Sequence, residues 1–138
     1  MRYLGLDVGN KRVGVAVGNS VTRLASPLAV IVRATLAQDA AQLAQWIREY
    51  DAETLVVGLP HNADDSDGVQ VALTRAYAEE LQTQLGLPLH YQDERYSTAT
   101  ARRAQQARGL NEKRGRATLD AVAAAVILQD FLDALPPS

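Results

Sequence analysis

The spacing of hydrophobic residues follows a strand-like period up to about residue 33 and a helical period in much of the chain after it. Three short apolar or alternating segments, Arg2–Val8, Val13–Val17 and Leu28–Val32, are separated by turn residues and predict strands. Gly9 and Asn10 lie between the first two, and this pair supplies the positive backbone angles that a tight hairpin needs. We therefore expect an antiparallel three-stranded meander at the start of the chain.

Helical and strand patterns alternate in the middle of the chain. Apolar residues recur at helical spacing over Leu36–Tyr50 and again over Val69–Leu85, which predicts two amphipathic helices. The continuous apolar run Thr54–Pro60 is typical of a central strand that is covered on both faces. A fifth strand is predicted over Leu87–Gln92, and an acidic loop over residues 61–68.

The C-terminal third predicts two further helices. A basic helix can begin at Ser97 or Thr98 and run to about Arg108, because either residue can cap its N-terminus. We predict a loop over Gly109–Arg116 and a very apolar helix over Ala117–Leu132. The order β-β-β-α-β-α-β-α-α predicts an α/β fold, in which one mixed five-stranded sheet carries helices on its faces. We expect residues 1–138 to form a single domain.

Composition excludes several classes of protein. The chain has 138 residues, 47% of them hydrophobic, which is enough to bury a core and too apolar for a disordered chain. The sequence contains no cysteine, so a disulfide scaffold and a cysteine-ligated zinc site are excluded. The longest apolar run, Ala121–Leu128, is far shorter than the roughly 20 residues that span a bilayer. We expect a cytoplasmic protein with no membrane partner.

Basic residues are concentrated in one part of the chain. The formal net charge is −2, yet Arg95–Arg116 contains seven basic residues and a single acid, Glu112. Such a segment favours a phosphate-rich partner such as nucleic acid, although a solvated helix face explains it equally well by composition alone. The candidate substrate-binding residues are Lys11, Arg12, Arg95, Arg102, Arg103, Lys113 and Arg114.

Acidic residues stand out where the surrounding sequence is apolar. Asp7 ends the first strand, Asp93 and Glu94 end the fifth, and Asp120 is the only charge between residues 117 and 129. A carboxylate in apolar surroundings must be paired, hydrogen-bonded or bound to metal, because burying it alone is costly. Asp7 can instead cap the following turn, and the other three can favour a helix N-terminus.

Together these acids could bind a hard divalent cation. Magnesium and manganese prefer oxygen ligands, and nucleases use such ions to stabilise the attacking and leaving oxygens of a phosphodiester. Side chains alternate along a strand, so Asp93 and Glu94 should leave it on opposite faces unless the strand has already ended. Only one of the two should then reach such a site.

Four motifs lie in order along almost the whole chain: Gly5–Ala16, Val57–Pro60, Asp93–Thr98 and Asp120–Ala124. Together they resemble the YqgF family, also called RuvX, of the ribonuclease H-like superfamily. The resemblance implies a ribonuclease H-like fold and a metal-dependent nuclease that hydrolyses phosphodiester bonds. Members of the family are linked to maturation of the 5′ end of precursor 16S ribosomal RNA.

The resemblance also implies a set of catalytic and metal-binding residues. By motif position these are Asp7, Asp120 and one of the pair Asp93 and Glu94, with Mg²⁺ or Mn²⁺ as cofactor. We prefer Glu94, because a longer side chain can reach a shared metal from a strand that is ending. The implied partners are RNA, branched or single-stranded DNA, and ribosomal precursor particles; both a monomer and a homodimer fit the sequence.

Other functions stay open at this point. The older family label, Holliday junction resolvase, implies action on DNA in recombination or repair. A catalytically silent RNA-binding module of ribosome assembly would need the basic segment and no active acids. The spacing of Asp7, Gly9 and Gly14 also resembles the first phosphate loop of actin-like kinases, but those proteins carry two such domains and this chain has one copy.

Overall fold

The computed structural model describes residues 1–59, 68–94 and 112–136, and gives only the backbone of residues 112–118. In these residues the elements are β1 (Arg2–Val8), β2 (Arg12–Asn19), β3 (Ala25–Val32), α1 (Leu36–Tyr50), β4 (Thr54–Leu59), α2 (Val69–Leu85), β5 (Leu89–Asp93) and α3 (Glu112–Asp133). The strands form one sheet in the order β3-β2-β1-β4-β5. None of the helices described here has the length and apolar character needed to cross a membrane.

The sheet is mixed, as the sequence predicts. β2 pairs antiparallel with both β1 and β3, which confirms the N-terminal meander. β4 pairs parallel with both β1 and β5. The carboxyl ends of β1, β4 and β5 therefore meet at the same edge of the sheet, and β2 begins there.

Several predicted boundaries are exact and others are wrong. β1, α1 and α2 begin and end at the predicted residues. The loop predicted over Gly109–Arg116 is wrong from Glu112 onward, where α3 already begins. Glutamate, lysine and arginine are good helix formers, and the single Gly115 costs only about 1 kcal/mol relative to alanine. The acidic loop and the basic helix predicted over residues 97–108 lie outside the described residues.

The boundaries of β2, β3 and β5 also differ from the prediction. β2 spans Arg12–Asn19 rather than Val13–Val17, and β5 ends at Asp93 rather than Gln92. β5 begins at Leu89 rather than Leu87, because Pro88 has no N–H to donate to the ladder. The carbonyl of Pro88 still accepts a hydrogen bond from the N–H of Leu55 at 2.9 Å. β3 extends back to Ala25, and an irregularity in its pairing with β2 lies where Pro27 joins the ladder.

The side chains of β1 alternate between two separate hydrophobic layers. Leu6 is fully buried in the layer that the sheet forms with α1 and α2. Tyr3 lies on the other face, where its ring packs edge-on against Phe131 of α3 with centroids 5.3 Å apart. The same alternation puts Gly5 and Asp7 on the face that α3 covers.

Glycines on this face allow α3 to lie very close to the sheet. A Cβ at Gly14 would collide with the backbone carbonyl of Asp120, and a Cβ at Gly5 would lie 2.8 Å from the Cβ of Leu128. Gly58 of β4 faces Ile127 in the same way. The position of α3 is therefore fixed by backbone contact at several points, and a larger residue at any of these glycines would move it.

The C-terminal end of α3 is attached to the loop between β2 and β3. Arg23 has a positive φ of 57°, and its guanidinium donates to the carbonyls of Leu135 and Pro136 at 3.1 and 2.6 Å. Gln129 donates to the carbonyl of Arg23 at 2.7 Å and accepts from the N–H of Ala25 at 3.0 Å. These bonds tie Gln129 of α3 and the residues just after the helix to this loop, and they fix the position of α3 along the sheet.

Candidate functional site

Asp7 and Asp120 lie on the same face of the sheet. Asp7 is paired with Gly14 in the antiparallel ladder between β1 and β2. Residues that are directly opposite in such a ladder project to the same face. A Cβ at Gly14 would meet the backbone of Asp120, so α3 crosses this face of the sheet at Asp120. Asp7 and Asp120 therefore lie on the same face. Both acids are partly buried.

Asp93 and Glu94 project to opposite faces of the sheet. His90 of β5 faces α3, since its ring lies 5.5 Å from that of Phe131. Counting by twos along the strand puts Glu94 on the α3 face and Asp93 on the face of α1 and α2. The N–H of Glu94 donates to the carbonyl of Leu59 at 3.0 Å, so the ladder continues through this residue.

Burial distinguishes the same two acids. Asp93 is exposed, whereas both carboxylate oxygens of Glu94 are withdrawn from solvent. Glu94, rather than Asp93, therefore shares the α3 face of the sheet with Asp7 and Asp120.

The three acids share a face without forming a closed ligand cage. β1 and β5 lie on either side of β4, so their backbones are about 10 Å apart, twice the usual strand spacing. Among residues 1–59, 68–94 and 112–136, no three histidine, aspartate or glutamate side chains are close enough together to hold a metal ion. The arrangement supplies hard oxygen donors from three elements, and a shared ion would have to draw them together.

An ion pair joins Arg12 to Asp120. The Nε of Arg12 donates to Oδ2 of Asp120 at 2.9 Å, and the two side chains are 32% and 18% exposed. Arg12, an expected substrate-binding residue, is thus paired with an expected metal ligand in this structure. Lys11, its neighbour in the turn between β1 and β2, is exposed.

The remaining basic candidates are described only in part. Lys113 and Arg114 lie in the first turn of α3, where only the backbone is described. Lys113 precedes Asp120 by seven residues, which is close to two helical turns, so its backbone position is on the same side of α3 as that of Asp120. Arg95, Arg102 and Arg103 lie outside the described residues.

Sequence reasoning missed a polar network on the opposite face of the sheet. Asp39 is 1% exposed, and its Oδ2 accepts a 2.7 Å hydrogen bond from the hydroxyl of Tyr77. Burial of the phenol, with a further contribution from Asp39, raises the pKa of Tyr77 well above its ordinary value. Arg33 lies over the Tyr77 ring and reaches the turn next to Asp7. Asp39 had a sequence signal, because it stands on the same stripe of α1 as the apolar Leu43.

Comparison with known proteins identifies the relatives of the chain. Residues 1–134 match the RuvX family, whose description is Holliday junction resolvase. A protein from Anaeromyxobacter sp. strain Fw109-5, named "Putative pre-16S rRNA nuclease", is 45% identical over 96% of this chain and 97% of its own length. A protein of the same name from Moorella thermoacetica is 45% identical over 98% of this chain and 96% of its own length.

Solved structures establish the fold. Thermus thermophilus RuvC, in complex with a Holliday junction substrate, superposes with a TM-score of 0.60 at 18% identity, over 97% of this chain and 94% of that one. The fowlpox virus Holliday junction resolvase superposes with a TM-score of 0.55 at 12% identity, over 98% and 100% of the two chains. The predicted ribonuclease H-like fold is thus confirmed, in its RuvC-like form. By the match of residues 1–134 and the identity to its relatives, the chain belongs to the RuvX family.

Proposed function

We propose that this protein is a nuclease that uses Mg²⁺ or Mn²⁺ to hydrolyse phosphodiester bonds in RNA. One observation carries the proposal: Asp7, Glu94 and Asp120 share one face of the sheet at the carboxyl end of its parallel strands. Ligands commonly bind at this edge of open α/β sheets, because the strand ends and the loops after them meet there.

The donor chemistry of these residues fits the proposed cofactor. All three side chains are carboxylates, and hard divalent cations prefer such oxygen ligands. When bound, the ion supplies positive charge that stabilises the oxygens of the reacting phosphate. Asp7, Glu94 and Asp120 would hold it, and without such an ion their negative charges would repel a phosphodiester from this edge.

Basic residues around the acids have a separate role in the proposal. Lys11 is exposed in the turn that follows Asp7, where its ammonium can bind a phosphate next to the cleaved bond. Arg12 neutralises Asp120 in this structure, and its guanidinium would be available to phosphate if a metal ion were bound to Asp120 instead. The proposal assigns binding of the substrate backbone to the other basic candidates, Arg95, Arg102, Arg103, Lys113 and Arg114.

The relatives support RNA as the substrate. Proteins that are 45% identical to this chain are named as pre-16S rRNA nucleases, and we infer 5′-end processing of precursor 16S rRNA. The protein then works in the cytoplasm on ribosomal precursor particles, with residues 1–138 as one nuclease domain. The family description supports a second candidate, cleavage of Holliday junctions, because it names that reaction.

A cleavage assay with matched substrates and variants tests the proposal. We expect labelled RNA that spans the 5′ end of mature 16S rRNA to be cut with Mg²⁺ or Mn²⁺ and left intact with EDTA. Preferential cutting of a four-way DNA junction would favour the second candidate. If neither substrate is cut but the RNA is bound, the protein is a silent RNA-binding module.

Two neighbouring acids at the end of β5 provide the matched control. Glu94→Gln should abolish cleavage, while Asp93→Asn should preserve it, because the two side chains leave the strand on opposite faces. The reverse result would move the third carboxylate of the site to Asp93.

A further inference from the structure

We propose that Arg33 is a positioning residue that holds the turn between β1 and β2 and so orients Asp7. Its backbone N–H donates to the carbonyl of Lys11 at 2.9 Å. Its Nη1 donates to the carbonyl of Gly9 at 2.8 Å. One residue at the end of β3 thus binds the turn at two points, two and four residues after Asp7.

The turn itself is tight. The N–H of Gly9 donates to the carbonyl of Arg12 at 2.8 Å, and a Cβ at Gly9 would lie 2.9 Å from that same oxygen. The turn therefore connects Asp7 on one side with the Asp120-bound Arg12 on the other. A shift of this turn would move both residues relative to α3.

A buried network keeps the Arg33 guanidinium in place. Its Cζ lies 4.0 Å from the centroid of the Tyr77 ring, which is a cation–π contact. The hydroxyl of Tyr77 donates to Oδ2 of the buried Asp39, whose Oδ1 accepts from the N–H of Ala34 at 3.0 Å. Ala34 follows Arg33 directly, so Asp39 also holds the backbone next to Arg33.

Tyr77 is suited to remain a donor in this network. Burial raises its pKa, and the hydrogen bond to Asp39 and the charge of that carboxylate raise it further. The phenol therefore stays protonated over the pH range in which nucleases are assayed. The ring and the hydroxyl fix Arg33 and Asp39 together, and each loses a partner if the ring moves.

Arg33 acts from the opposite side of the sheet. Tyr77 belongs to the layer of α1 and α2, whereas Asp7 projects to the face of α3. The Arg33 guanidinium thus contacts the turn rather than the carboxylates or a substrate bound on their face. Its removal should change the geometry of Asp7 and leave the binding of nucleic acid to other basic residues almost unaffected.

The test compares Arg33→Met with wild type by three measurements. Amide hydrogen exchange in residues 8–12 should become faster, since the carbonyl of Gly9 loses its guanidinium partner and only the backbone N–H of residue 33 still binds the turn. Mn²⁺ affinity, measured by electron paramagnetic resonance of the free ion, should fall about 10- to 100-fold, as it does when outer-shell partners of metal ligands are removed. The kcat of cleavage should fall with it, while KM changes less than about twofold.

Two further variants distinguish a positioning role of Arg33 from a general loss of stability. Arg33→Lys keeps a cation over Tyr77 and a donor near Gly9, and should give an intermediate Mn²⁺ affinity. Arg48→Met removes an exposed arginine of α1 and should leave all three measurements as in wild type. Unchanged Mn²⁺ affinity and kcat in Arg33→Met, with or without a lower Tm, would overturn the proposal.

The inference rests on the proposed nuclease function, but the measurements distinguish the two. Wild-type protein that neither binds Mn²⁺ nor cleaves RNA would refute the nuclease function. Hydrogen exchange would still decide whether Arg33 holds the turn, because it requires neither metal nor substrate. Unchanged exchange in residues 8–12 of Arg33→Met would show that it does not.

Discussion

Arg12 and Asp120 form an ion pair of 2.9 Å between the first residue of β2 and a helix more than a hundred residues later. The pair places a positive charge beside one of the three carboxylates of the proposed site. A divalent cation that binds Asp120 therefore competes with Arg12 for the same carboxylate.

Removing this arginine should strengthen metal binding. In Arg12→Met, we expect the Mn²⁺ dissociation constant to fall about fivefold, the factor that corresponds to a partly exposed ion pair of about 1 kcal/mol. The free energy of unfolding without metal should decrease by about the same amount. Titration calorimetry and chemical denaturation measure the two effects, and an unchanged or weaker Mn²⁺ affinity would contradict the competition.

Substitution of Asp7 or Asp120 should reduce the rate of cleavage without changing the fold. Asp7→Asn and Asp120→Asn keep the size of each side chain but remove the charge, so we expect cleavage to fall by at least about 100-fold. Circular dichroism should show an unchanged fold. Near-normal cleavage by Asp120→Asn in both metals would mean that this residue serves the helix and the Arg12 pair rather than the reaction.

Salt dependence should reveal which basic residues bind phosphate. If Lys113 and Arg114 each contact one phosphate of single-stranded RNA, each alanine substitution should reduce the slope of log affinity against log salt by about 0.7. Fluorescence anisotropy at several salt concentrations measures the slope. Arg48→Ala is the control, because it removes a charge from the exposed surface of α1. An unchanged slope in both test variants would make these residues part of a solvated helix face.

The contact between Gly14 and α3 should be sensitive to a single methyl group. Gly14→Ala introduces a Cβ where the Asp120 carbonyl lies, so α3 must move away from the sheet. We expect a loss of about 1–3 kcal/mol in the free energy of unfolding and weaker Mn²⁺ binding, since Asp120 moves with the helix. Ser26→Ala, on the exposed edge strand, should change stability by less than about 0.5 kcal/mol. A Gly14→Ala variant with full stability would mean that α3 can shift on the sheet without a loss in the free energy of unfolding.

Alkaline pH should weaken the protein through Tyr77. The pKa of this phenol is raised in the folded state, so its contribution to stability is complete below the unfolded pKa of about 10 and decreases as pH rises above it. Urea unfolding between pH 8 and 11 should show a steeper decline for wild type than for Tyr77→Phe. Parallel declines would show that Tyr77 does not contribute to the pH dependence.

Local periodicity was sufficient to predict much of the fold. The limits of α1 and α2 follow from apolar spacing and from clear end signals, such as Gly86 after Leu85. The start of α3 was wrong because charged helix formers and a glycine are compatible with both a loop and a helix. A pattern of a few residues cannot distinguish a loop from a helix when the surface against which the segment packs is distant in sequence.

The candidate site depended on contacts that local patterns do not contain. The acids can be recognised as candidates from their positions in the sequence. The face of the sheet to which Glu94 projects, however, follows from the register of β5 on β4. The pairing of Arg12 with Asp120 depends on how α3 crosses Gly14. Arg33 looks like any surface arginine until the fold brings it onto Tyr77.

The order of the elements, with α3 after all five strands, has a consequence for when the proposed site can form. A ribosome makes the chain from its N-terminus, so β1 with Asp7 and the end of β5 with Glu94 exist before the helix that carries Asp120. Until α3 docks, the glycine-rich face of the sheet is bare and the third carboxylate is absent. A nascent chain therefore holds an incomplete set of acids, and the proposed cleavage of RNA begins only after translation has delivered the last helix.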